Sequence, residues 1–63
     1  MKLNIKKIKS EMKRQRMKQI ELARRMGRTP QRIHYILNKG TISYRVTEML
    51  AKALNVDAKD LII

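Results

Sequence analysis

Residues 19–38 read QIELARRMGRTPQRIHYILN, and this stretch decides the fold. Leu22, Ala23 and Met26 fall on one apolar helical face, and Ile33, Ile36 and Leu37 fall on another after a break. The break holds Gly27, which can close a helix in the left-handed region without steric penalty. It also holds Thr29-Pro30, a hydroxyl that can cap a helix followed by a residue suited to its first turn. Two short helices packed across a glycine turn form a helix-turn-helix. Ala23 is small enough for the pair to approach closely. The other face of the second helix carries Gln31, Arg32, His34, Tyr35 and Asn38, all able to hydrogen-bond and none with an obvious reason to be buried.

Working outward, the spacing predicts three further helices and no strand. Ile5, Ile8 and Met12 form one stripe of a first helix over Leu3–Arg16, with Lys and Arg on its other faces. The motif itself supplies a second helix, Gln19–Met26, and a third, Pro30–Asn38. A loop, Lys39–Ser43, contains Gly40. Val46, Met49, Leu50, Ala53 and Leu54 mark a fourth helix, Tyr44–Leu54, with Ser43 as its cap and Asn55 as its stop. Asp57 can cap a short fifth helix, Ala58–Ile62, with Asp60 as a capping-box partner. Connections this short suit one compact helical domain spanning residues 1–63.

Composition agrees. The chain has 63 residues and is 43% hydrophobic, mostly Ile, Leu, Met and Ala, with Tyr35 and Tyr44 its only aromatics. Aromatic and β-branched strand formers are few, which favours packed helices. Met12, Met17, Met26 and Met49 read as core filler. The formal net charge is +11, unevenly spread. Residues 1–45 hold fourteen of the sixteen Lys and Arg against two acids, and residues 46–63 hold two against three. Such a bias speaks to polyanionic partners, nucleic acid or an anionic membrane.

Several function classes fit poorly. With no cysteine, there is no disulfide, thiolate chemistry or Cys-based zinc site. His34 is the only histidine and lacks a second ligand, so no metal or cofactor is expected. The five acids are scattered and no glycine-rich phosphate loop is present, which argues against an enzyme. No small-molecule ligand is evident. No apolar run reaches the ~18 residues of a membrane span and no signal peptide is visible, so a cytoplasmic protein is expected.

The chain resembles the Cro/CI-type (Xre-like) helix-turn-helix regulators of phages and bacteria. Gln19, Leu22, Ala23, Met26, Gly27, Ile33 and Ile36 match that family's residue types. MLAKALNV followed by DAKDLI is similar to its fourth helix, turn and fifth helix. The resemblance spans about Ile8 to Leu61. It implies an all-α, five-helix, lambda-repressor-like bundle and a small repressor that binds double-stranded DNA at a twofold-symmetric operator. Three positions depart from the pattern. Lys18 replaces the usual hydroxyl cap of the second helix. Arg28 replaces a small apolar residue, and Pro30 stands where a base-reading Gln is common.

By this resemblance the third helix enters the major groove. Gln31 and Arg32 are the leading candidates for base reading, since Gln pairs bidentately with adenine and Arg with guanine. Tyr35 offers its hydroxyl or ring to the DNA, or else packs half-buried against the fourth helix. His34 is next in line, or is simply an exposed polar residue. Gln19, Lys18, Thr29, Asn38, Lys39, Thr41 and Arg45 are candidate phosphate contacts, with the helix end at Gln19 itself attracting an anion. Arg14 and Arg16 add charge, and the lysines of the first helix read as a solvated face.

Two other classes compete with DNA binding. A membrane-surface peptide suits the cationic first helix but not the bundle patterning of the rest. A protein-binding module, such as an antitoxin or adaptor, would use the apolar end Leu61, Ile62 and Ile63. The same end can instead make a homodimer, setting two recognition helices about 34 Å apart.

Overall fold

A computed structural model describes residues 2–41 and 43–63. It contains four α-helices, α1 Ile5–Arg14, α2 Gln19–Met26, α3 Pro30–Lys39 and α4 Tyr44–Leu54, and a 3-10 turn, Ala58–Leu61. The expected bounds of α2 and α4 hold, and α3 runs one residue further than expected. Ile42, in the expected loop, lies outside the described residues.

Helix α1 stops at Arg14, two residues before the expected Arg16, where the chain turns left-handed. The start of the first segment and the end of the last differ from expectation for one shared reason. Leu3 does not start a helix; it pairs with Ile62 in an isolated antiparallel bridge. The Asn4 amide donates to the Leu61 carbonyl at 2.7 Å, and the Ile63 amide to the Lys2 carbonyl at 2.8 Å. A backbone committed to a partner strand cannot also be helical, so α1 begins only after Asn4. The Asn4 side chain then caps it, accepting from the Lys7 amide at 3.1 Å. The same bridge holds Ile62 extended. The expected fifth helix is therefore a 3-10 turn ending at Leu61, and the α-helices number four among the described residues. Asp57 caps that turn by accepting from the Lys59 amide at 3.0 Å, not from the Asp60 amide a capping box would use.

Cap chemistry sets most other boundaries. Thr29 accepts from the Arg32 amide at 3.2 Å and Ser43 from the Val46 amide at 3.2 Å. Gly27 closes α2 at φ 68°, and the next amide, Arg28, reaches back to the Ala23 carbonyl at 2.9 Å. Arg16 and Asn55 take the same left-handed turn at φ 54° and 58°.

The core lies between the helices. Ile8, Leu22, Ile33, Ile36, Leu50, Leu54 and Leu61 are fully buried, and Ala23 of α2 is buried with them. Thr47 is buried too, and its hydroxyl donates to the Ser43 carbonyl at 3.1 Å, so its burial strands no polar group.

Two long-range polar contacts tie the helix-turn-helix support together. The last carbonyls of α4 have no helical partner of their own. Gln15 donates to the Leu54 carbonyl at 2.6 Å and Arg25 to the Ala53 carbonyl at 3.2 Å. The end of α1 and the end of α2 are thereby pinned to the end of α4. Glu11 is buried on α1 and receives the Arg14 guanidinium at 2.7 and 3.1 Å. This hydrogen bond from Arg14 holds the Glu11 carboxyl below its ordinary value, against the opposing effect of desolvation.

Candidate nucleic-acid interface

With its apolar residues Ile33, Ile36 and Leu37 buried, α3 turns the rest of its surface outward. Gln31, Arg32, His34, Tyr35 and Asn38 are all exposed, as their residue types suggest. Tyr35 is 54% exposed, so about half of its surface faces outward. The Arg32 guanidinium carbon lies 5.8 Å from the centre of the Tyr35 ring, within cation–π range. Asn38 is folded back on its own helix. Its amide nitrogen donates to the His34 carbonyl at 2.7 Å and sits 3.2 Å from the His34 ring nitrogen Nε2. Among the described residues no group of three His, Cys, Asp or Glu is placed to hold a metal ion.

The end of α3 borders a groove that brings together Arg32, Tyr35, Asn38, Lys39 and Thr41. Lys2, from the segment before α1, also lines it, and none of the residues lining the groove is acidic. Lys2 was not among the residues singled out by sequence. It arrives here through the Leu3–Ile62 bridge, which local periodicity does not reveal.

The flanking candidates divide by the state of their donors. Thr29 and Thr41 each spend an oxygen lone pair on the backbone, accepting from Arg32 at 3.2 Å and from Ser43 at 3.0 Å. A hydroxyl used in this way still has its proton to donate to an anion. Lys18, Lys39 and Arg45 are exposed, and Gln19 is partly so. Lys18 caps nothing with its side chain, so the first amides of α2 lack the side-chain acceptor that Asn4, Thr29 and Ser43 supply elsewhere. Helix α2 nonetheless begins at Gln19. Ile20, beside it, is 57% exposed, an apolar residue at a helix start that the pattern did not flag.

One further expectation changes, at Arg14. Arg14 is bound to Glu11 and is not a free cation. Arg28 is exposed, with one guanidinium nitrogen 3.8 Å from the Met49 sulfur, so its charge stays in water beside the α2–α4 packing.

A helix-turn-helix with an exposed polar α3 face and cations at its end is the arrangement of a DNA-binding domain. Comparison with protein families agrees: the Cro/C1-type helix-turn-helix DNA-binding domain matches residues 7–63. The chain belongs to this family. No curated protein and no solved structure gives a significant match to it. The matched region takes in all of α2, α3 and α4, so every candidate contact except Lys2 falls inside the Cro/C1-type domain. None of the described helices is long and apolar enough to cross a membrane.

Proposed function

We propose that residues 1–63 act as a single domain, a sequence-specific transcriptional regulator of the small repressor type that reads the major groove of double-stranded DNA with α3 in the cytoplasm. The observation that carries this reading is the exposed polar face of α3 inside a Cro/C1-type domain of net charge +11. Gln31 and Arg32 read base edges, with Tyr35 and then His34 behind them. Lys18, Gln19, Thr29, Asn38, Lys39, Thr41 and Arg45 contact phosphates. Of these, Asn38 is the weakest, because its amide is already bound to His34. The protein acts by binding alone, with no cofactor, metal or reaction.

The same reading includes a palindromic operator and a homodimer through the C-terminal region. The apolar surface there is smaller than the sequence suggested. Leu61 is fully buried and Ile62 is half-buried against Leu3, leaving Ile63, 72% exposed, as the main outward apolar side chain. In-vitro selection from random duplexes tests all of this together. A palindromic consensus with half-sites about one turn apart supports the repressor and dimer reading. Enrichment of a lone half-site removes the dimer, and no enrichment at all favours a protein-binding module.

A further inference from the structure

Arg32 has one side-chain neighbour of consequence. Among the described residues its guanidinium makes no hydrogen bond and no ion pair, and it lies 5.8 Å from the Tyr35 ring centre. The two residues are three apart on α3, so they share a face of the helix. Both are exposed, so the contact lies on the solvent-facing side of α3. We propose that Tyr35 is a positioning residue for guanine recognition: its ring orients the Arg32 guanidinium and so sets how strongly α3 discriminates guanine.

The chemistry suits this division of labour. A guanidinium is planar, with its donors on the edge and its π-surface on the face. Stacking the face on an aromatic ring leaves the edge free for the bidentate pair with guanine O6 and N7. An unrestrained arginine side chain must be ordered when it binds, and that cost is lowered when the side chain is held beforehand. The neighbouring polar pair on α3 is arranged differently, since Asn38 is bound to His34 and neither lies on Arg32. The ring, not the hydroxyl, is the working part. Phenylalanine should therefore substitute for Tyr35 where leucine, of similar reach but without a π-face, should not.

The inference rests on α3 reading the major groove, and the experiment separates the two. The probe is the duplex recovered by selection with the unmodified protein, together with its single-base-pair variants. Arg32→Ala first identifies the base pair whose guanine preference depends on Arg32. At that pair Tyr35→Phe should keep the preference. Tyr35→Leu should weaken it about two- to five-fold, the scale of an exposed cation–π contact. In an Arg32→Ala background Tyr35→Leu should change nothing further at that pair, which is the coupling a double-mutant cycle measures. Melting curves identify any variant that fails to fold. As a check that needs no DNA, the side-chain protons of Arg32 should be ring-current shifted in the free protein, with the shift lost in Tyr35→Leu. Unchanged guanine preference in Tyr35→Leu overturns the proposal. So does an equal loss in Tyr35→Phe, which would assign the role to the hydroxyl, or a loss confined to another base pair, which would make Tyr35 a reader in its own right. If Arg32→Ala alters no base preference, or selection recovers no site, the groove-reading role fails and the proposal fails with it.

Discussion

Arg16, two residues beyond the end of α1, has φ 54°, a left-handed conformation taken by no other non-glycine residue described except Asn55. Asparagine tolerates that region; arginine carries a steric penalty there of roughly 1–2 kcal/mol. The turn is needed, because it lets the Met17 amide return to the Met12 carbonyl at 2.8 Å and sets the end of α1, from which Gln15 reaches Leu54. Arg16 is exposed, and no hydrogen bond or ion pair of its side chain is seen among the described residues. Replacing Arg16 with glycine should remove the penalty while raising the entropy of the unfolded chain by an amount worth about 0.4–1 kcal/mol. The net expectation is a gain centred on about 0.8 kcal/mol, with about 1.6 as its upper bound, or roughly 3–6 °C in melting temperature at the centre for a domain of this size. Arg16→Ala is the control, since it removes the charge and stem but keeps the strained backbone. Thermal and urea unfolding at fixed salt should place Arg16→Gly above Arg16→Ala. If glycine melts at or below alanine, the strain assigned to this turn is not there.

Lys18→Ser should stabilise the domain by about 1 kcal/mol in urea unfolding, because α2 is the α-helix without a side-chain cap and serine supplies one. Acid stability should depend on Glu11. Its folded value lies below the ordinary 4.5, so its contribution is present above that pH and is lost as pH falls through the folded value. Glu11→Gln should therefore flatten the fall in melting temperature below pH 4.5, and an unchanged acid limb would remove Glu11 as its source. Lys39→Ala should weaken binding to every duplex alike and lower the salt slope by about one, measured by anisotropy titrations over a salt series.

The helices that carry the motif were legible because their signals are local. Gly27, Thr29, Pro30, Ser43 and Asn55 act on the backbone within a turn of themselves, and each helix boundary they mark is observed to within one residue. The two ends were misread because their conformation is decided by a partner more than fifty residues away. No periodicity at Leu3 announces a pairing with Ile62. The contacts of Gln15 and Arg25 with α4 are invisible for the same reason, as is the presence of Lys2 near α3. Around the candidate interface, exposure followed from the apolar stripe of α3: once Ile33, Ile36 and Leu37 are inside, the polar residues must be outside. Pairings within that face did not follow. Arg32 with Tyr35 and Asn38 with His34 depend on rotamers, and residue types alone leave them open.

The central claim is that α3 reads bases while the cations around it bind any duplex. Its most direct test is to measure Gln31→Ala and Arg32→Ala on the selected site and on a scrambled duplex of equal length at one salt concentration. Each substitution should cost roughly 1–3 kcal/mol on the site, with preference relaxed at a single base pair. On scrambled DNA Gln31→Ala should cost almost nothing, and Arg32→Ala only the share of a lost charge. Equal losses on both duplexes for Gln31→Ala would contradict base reading by α3 and reduce its exposed face to one more part of a cationic surface.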